Sequence, residues 1–115
     1  MSNFSTRMRV EAARSLAFGS IAAGYTAVGT PFTHPISIVY FFNSTNESVW
    51  ISFDGSVDHV PLAAGSFFLL DVTTNKANQI GLFIEIGTQI YTKQLSGAPT
   101  SGSVYVSSFY AQSSQ

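Results

Sequence analysis

The sequence predicts an all-β fold: a single antiparallel β-sandwich, jelly-roll-like, with an extended N-terminal arm. Three observations carry this expectation. Seven or eight short runs rich in β-branched and aromatic residues recur at roughly 8–12 residue spacing, separated by Gly, Pro, Asn and Asp clusters. No long stretch has the periodicity of an amphipathic helix. The 115 residues are one domain's worth of chain, and 16 aromatic side chains are available to fill its core. The pattern suits jelly-roll and immunoglobulin-like topologies alike.

Residues 1–14 read as the arm and 15–115 as the sandwich. Over Arg7–Ala12, Arg7, Arg9 and Glu11 alternate with Met8, Val10 and Ala12. Period two favours extended backbone, although Glu-Ala-Ala-Arg makes a short helix over Arg9–Ser15 the competing expectation. Leu16–Thr33 is rich in Gly, Ala and Thr and reads as one or two irregular strands. Ile36–Phe42 is a strand with two largely apolar faces, the mark of a central position. Asn43–Glu47 is a turn by composition. Ser48–Asp54 is a strand with Val49, Ile51 and Phe53 on one face, closed by the turn pair Asp54-Gly55. Val57–Leu62 is a short strand and Ser66–Val72 a firm one; Thr73–Asn78 is a polar loop. Strands are expected over Ile80–Ile86, Thr88–Leu95 and Ser103–Tyr110, with a loop at Gly97–Gly102 and a polar tail from Gln112.

Charge is scarce. Eleven residues are ionic, against 17 Ser and 10 Thr, and the net charge is -1. An average domain carries about a quarter charged residues, so hydroxyl groups supply most of this polar surface, and little charge repulsion opposes association. Three of the five basic residues, Arg7, Arg9 and Arg14, lie in the first 14 positions. Three arginines are thin support for a phosphate-binding arm, so no nucleic-acid partner is expected. The longest apolar run, Ile36–Phe42, is far short of the roughly 20 residues of a membrane-spanning helix. Met1–Ser5 lacks the layout of a secretory signal. There is no cysteine, hence no disulfide and no thiolate chemistry.

The residues carry no pattern of a catalytic or metal site. His34 and His59 have no ligand spacing around them. Asp54–His59 lacks the alternating oxygen ligands and bidentate Glu of a calcium loop and reads as a turn capped by the Asp54 carboxylate. Gly-x-Ser-x-Gly, P-loop and dinucleotide motifs are missing. The expectation is a non-enzymatic protein without a cofactor. Strands with two apolar faces need a cover on the second face, which points to burial in an assembly. The interface residues nominated are Arg7, Arg9, Val10 and Arg14 in the arm, with Trp50, Tyr105 and Tyr110 as aromatic anchors. Trp50 and the tyrosines also suit a carbohydrate- or receptor-binding module, which is the alternative.

The segments Ile51-Ser52-Phe53-Asp54-Gly55, Leu62-Ala63-Ala64-Gly65-Ser66-Phe67, Leu70-Asp71-Val72-Thr73-Thr74-Asn75, Gly87-Thr88-Gln89-Ile90-Tyr91-Thr92-Lys93 and Ala98-Pro99-Thr100-Ser101-Gly102-Ser103-Val104-Tyr105-Val106 resemble small β-sandwich virion proteins of tailed bacteriophages. The likeness spans roughly residues 14 to 110 and is one of phrases, without a diagnostic motif. It implies a capsid cement or decoration protein that clamps neighbouring capsid subunits, often as dimers and so as a homo-oligomer, in a virion assembled in the host cytoplasm. Sandwiches at the head–tail junction or on the tail are the alternative the same resemblance allows. It brings no catalytic residues, and the low charge departs from what an exposed decoration protein usually shows.

Overall fold

A computed structural model describes residues 5–72 and 84–114. Among the described residues, nine strands build two antiparallel sheets: β1 (Ser5–Val10), β2 (Arg14–Ala17), β3 (Thr26–Ala27), β4 (Ile38–Asn43), β5 (Val49–Ser52), β6 (Val60–Leu62), β7 (Phe67–Asp71), β8 (Tyr91–Gln94) and β9 (Ser103–Ser114). Sheet one runs β1/β2–β9–β4–β7 and sheet two β3–β8–β5–β6. The partners are nested along the chain: β2 with β9, β3 with β8, β4 with β7, β5 with β6. This is one long hairpin rolled into two sheets, the jelly-roll topology rather than the immunoglobulin one. No helix among the described residues is long and apolar enough to cross a membrane.

The core lies between the sheets. Val39 and Phe41 of β4 and Val104 and Val106 of β9 face Val49 and Ile51 of β5 and Leu62 of β6. Ile21, Val28, Phe32, Ile36 and Ile90 close its ends. The Phe41 ring meets Phe53 edge-on at 5.8 Å between centroids and lies over Phe68 at 6.1 Å. Truncating a phenylalanine so enclosed costs about 3–5 kcal/mol.

β4 is central, as its two apolar faces require, paired with β7 on one side and β9 on the other. The segment expected as an arm pairs with β9 over Ser5–Val10 and forms the edge of sheet one. No helix forms at Arg9–Ser15; those residues are extended. β9 continues through the polar residues after Tyr110 because β1 lies alongside to accept its hydrogen bonds. Most of the strand expected over Ile80–Ile86 and the loop over Thr73–Asn78 fall outside the described residues. From that region Ile84 makes an isolated antiparallel bridge to Ile36.

One break in the edge strand has wide consequences. Between Val10↔Phe109 and Arg14↔Val106, the three residues 11–13 lie opposite the two residues 107 and 108. This is a β-bulge, and it reverses which residues face inward. Before it, Val10 lies on the outer face; after it, Arg14 is buried and Ser15 exposed. Glu11 and Arg14 thus share the inner side, although a regular strand would place residues three apart on opposite faces.

The β4–β5 turn is tied by Asn43, which is fully buried. Its amide Nδ2 donates to Glu47 O at 2.9 Å and Leu62 O at 3.1 Å, and its Oδ1 accepts from Thr45 N at 2.9 Å and Thr45 Oγ1 at 2.6 Å. Gly102 closes against this turn with φ +84°, where a Cβ would lie 2.2 Å from Ser44 O. Gly102→Ala therefore combines left-handed strain with a clash against backbone, and a loss of about 2–4 kcal/mol is expected. Urea unfolding at unchanged m-value measures it; a loss below about 1 kcal/mol contradicts the tight closure.

Candidate functional site

Three features could serve function: the polar cluster beside the bulge, the ionic cluster on sheet two, and the outer face of sheet one.

At the bulge, Arg14 and Glu11 are both buried and their side chains meet at 2.8 Å, Nη2 to Oε1. Arg14 Nε donates to Thr30 O at 2.6 Å, Nη1 to Ser108 Oγ at 3.0 Å, and Nη2 also to Pro31 O at 2.9 Å, with a longer contact from Nη1 to Ala12 O at 3.5 Å. Its guanidinium carbon stands 5.0 Å from the centre of the Phe32 ring. The other Glu11 oxygen accepts from Thr33 N at 3.1 Å, Thr33 Oγ1 at 2.9 Å and His34 Nδ1 at 2.6 Å. Burial raises the Glu11 pKa, but the hydrogen bonds from His34, Arg14 and Thr33 outweigh it and hold the carboxyl at about 2, below its ordinary 4.5. The acceptor is thus an anion, so His34 Nδ1 must carry a hydrogen. The His34 ring stacks on Tyr110, 3.7 Å between centroids and 4° from parallel.

An open depression of about 420 Å³ lies over this cluster, lined by Glu11, Ala12, Ala13, Arg14, Ser15, Gly29, Thr30 and Thr33. Its charged groups are already paired with each other and with backbone carbonyls. Among the described residues no buried side-chain polar atom lacks a partner, and no three His, Asp or Glu converge as metal ligands. The depression offers a ligand no unpaired buried side-chain donor or acceptor.

On sheet two, Asp58 accepts from the Tyr25 hydroxyl and pairs with Lys93 Nζ at 3.1 Å, and that ammonium stands 4.7 Å from the centre of the Tyr25 ring. The Tyr25 hydroxyl, then Lys93, lower the Asp58 pKa; burial and the Asp58 carboxylate push the Tyr25 phenol far above its ordinary value. Half-buried Trp50 sits in register with Lys93 on one side and Pro61 on the other. Asp54 Oδ1 caps its own turn, accepting from Ser56 N at 2.8 Å and Val57 N at 3.0 Å, which also lowers its pKa.

The outer face of sheet one is different in kind. Strand by strand it presents Phe67 and Leu69 on β7, Ile38, Tyr40 and Phe42 on β4, Tyr105, Ser107 and Phe109 on β9, and Met8 and Val10 on β1. Phe67 is 63% exposed, Val10 60%, Leu69 53%, Met8 50% and Tyr105 40%. Tyr40 packs on Phe67 at 5.6 Å and Phe42 on Tyr105 at 6.2 Å, so the rings form one continuous layer. Among the described residues, the charged residue whose strand position falls on this layer is Asp71, at one corner.

The nominated interface residues divide among these features. Val10 and Tyr105 belong to the apolar layer. Arg14 is enclosed in the bulge cluster, Tyr110 stacks on its His34, and Trp50 lies on sheet two. Arg9 is exposed and pairs across from Tyr110, and Arg7 occupies the β1 position opposite Gln112. The nominations passed over Phe42, Phe67 and Leu69, although their alternation within the strands they occupy was visible in sequence. They also passed over Glu11, whose meeting with Arg14 depends on a bulge that only Ala12-Ala13, two small residues between opposite charges, could suggest.

No protein-family model matches the chain, and no curated protein matches it either.

Glu11 links stability to pH. Its pKa is lower folded than unfolded, so its contribution is fully present above about pH 4.5 and is lost as pH falls toward 2. At about 1.4 kcal/mol per unit, the loss is about 3 kcal/mol. Glu11→Gln should abolish this part of the acid limb and, by leaving Arg14 buried without its anion, cost about 3 kcal/mol at pH 7. Chemical denaturation of both proteins between pH 2 and 7 checks this; an unchanged acid limb in the variant would refute it.

Proposed function

We propose that the protein is a non-enzymatic structural subunit of a bacteriophage virion, a capsid cement or decoration protein held to its neighbours through the outer face of sheet one. The observation that carries the reading is the continuous aromatic and aliphatic layer on that face. A monomer's largest exposed apolar patch is typically about 300–600 Å², and five large apolar side chains here are each 40% exposed or more. Such a layer is costly in water and favourable when covered, at about 25 cal/mol per Å².

Two further points support it. The jelly-roll topology is shared by many viral capsid proteins, an analogy at the level of fold, and lectin domains share it too. The polar clusters that resemble ligand sites are internally satisfied, so they favour a structural role over catalysis. The glycan-binding alternative would use the Trp50 side of sheet two, where Tyr25, Asp58 and Lys93 already bond to one another. In this reading the protein resides in the virion, assembled in the host cytoplasm.

Quantitative mass spectrometry of particles purified from the phage that encodes the chain tests the proposal. The chain should be present in stoichiometric, multiple copies. Tyr105→Asp, which places a charge in the apolar layer, should reduce incorporation at least about tenfold, the effect of about 1.4 kcal/mol, while circular dichroism still shows the β-fold. Absence from the particles, or full incorporation of a folded Tyr105→Asp protein, would overturn it.

A further inference from the structure

We propose that His59 is a proton-operated latch on the turn between β5 and β6, closed while its imidazole is neutral and released when the ring takes a second proton. The latch does not depend on how the outer face of sheet one is used.

The direction of one hydrogen bond carries the inference. The pairing of β5 with β6 ends where His59 N donates to Ile51 O at 3.1 Å. Beyond it, Phe53 N donates to the ring of His59, at Nδ1, 3.0 Å away. A ring nitrogen that accepts carries no hydrogen, so the closed turn holds the tautomer with its hydrogen on Nε2. The imidazolium has a hydrogen on both nitrogens and accepts nothing. A second proton therefore sets one N–H against another, and the ring must leave Phe53 N. His34 has the opposite polarity: its Nδ1 donates to Glu11 Oε2 at 2.6 Å, and a second proton, on Nε2, leaves that bond intact. One histidine is opened by acid and the other is not, and the difference lies in what each Nδ1 faces.

The other acceptors of the turn keep their charge over the range in which histidine titrates. Ser52 Oγ accepts from Gly55 N at 2.9 Å, and Asp54 Oδ1 from Ser56 N at 2.8 Å and Val57 N at 3.0 Å. Those last two bonds hold the Asp54 carboxyl below its ordinary range, so it stays an anion. Asp54, Ser56, Val57, Asp58 and His59 are all exposed. Water can therefore take over the Phe53 N–H once the ring departs, which keeps the opening local.

The charges around the ring favour its release. On the turn itself His59 faces the carboxylates of Asp54 and Asp58. From β8, Lys93 Nζ reaches Asp58 at 3.1 Å, and the Tyr91 ring packs over Gly55, 3.2 Å from where a Cβ would stand. From the segment before β3, the Tyr25 hydroxyl donates to Asp58. Two anions against one cation attract an imidazolium, so the released ring has carboxylates to turn to. The proton binds the open turn and not the closed one; acid opens the turn and base closes it. Phe53 connects the latch to the core, since its ring meets His59 at 5.6 Å and Phe41 edge-on at 5.8 Å. Release thus loosens one end of sheet two while the bulge on sheet one keeps its bonds.

Amide hydrogen exchange of the full chain, read by NMR at pH 8 and pH 5 and corrected for the intrinsic rate at each, tests this. Protection of Phe53 N should fall about tenfold or more at pH 5, while Val28 N, held by Ile90 O, keeps its own. At pH 8 the ring nitrogen shifts should place the hydrogen of His59 on Nε2 and that of His34 on Nδ1. The loss of stability through Glu11 lies below about pH 4.5 and stays outside this range. His59→Phe keeps a ring against Phe53 but offers no acceptor, so Phe53 N should be unprotected at both pH values in a chain that circular dichroism shows folded. Equal protection of Phe53 N at pH 5 and pH 8, a parallel loss at Val28 N, or a His59 hydrogen on Nδ1 at pH 8 would each overturn the proposal. So would a Phe53 amide that remains protected, or still responds to pH, in His59→Phe.

Discussion

Glu11 and Arg14 are three residues apart in an extended chain, yet their charged ends meet inside the protein. The bulge makes this meeting geometrically allowed, and the meeting in turn fixes the bulge. Breaking the pair by removing one partner leaves a buried charge, at about 3–5 kcal/mol, which also penalises any slip of the edge strand against β9. From this anchor the side chains reach outward: Arg14 takes the carbonyls of Thr30 and Pro31, and Glu11 takes Thr33 and His34. The loop before β4 is therefore held by the same two residues that set the register of the edge. The stack of His34 on Tyr110 extends the hold to the far part of β9.

The alternation on the two sides of the bulge decides what each face of sheet one can be. Upstream, Met8 and Val10 join the outer layer; downstream, Arg14 and Leu16 turn inward and Ser15 turns out. Without the extra residue, Glu11 and Arg14 could not both lie inside, and one charge would stand among Tyr105, Phe109 and Val10. A single inserted residue thus keeps Glu11 and Arg14 out of the outer layer and pairs them on the inner side. Sheet two does the reverse, gathering Tyr25, Asp58 and Lys93 on its surface. The two faces of one sandwich thus differ in character, one an apolar layer and the other carrying the Tyr25–Asp58–Lys93 cluster.

Much of this was legible in the sequence. Period-two alternation located β5 and β9, short apolar runs located β4 and β7, and the apolar residues on both sides of Ile36–Phe42 pointed to its central position. The turn at Asp54-Gly55 and its carboxylate cap followed from residue type. What stayed hidden depends on contacts between distant segments. The strand β1 needs β9, about a hundred residues away, to become an edge rather than an arm. His34, a bland loop histidine by its neighbours in sequence, is bonded to Glu11 because the bulge brings that carboxylate to it. Arg14 reads as a free cation of a basic arm until the loop carbonyls that surround it are in place.

The nesting of the strand pairs also sets a clock. β9 is the last of the described strands, and it lies between the first strands and β4 in sheet one. A growing chain can pair β5 with β6 and β4 with β7 early, but the outer layer has no middle until Ser103–Ser114 has been made. Pairings of such large sequence separation are slow to form, because loop closure comes before the contacts that reward it. The apolar outer layer is therefore completed together with the fold, and a chain that stops short of Ser103 lacks the strand that forms the middle of that layer.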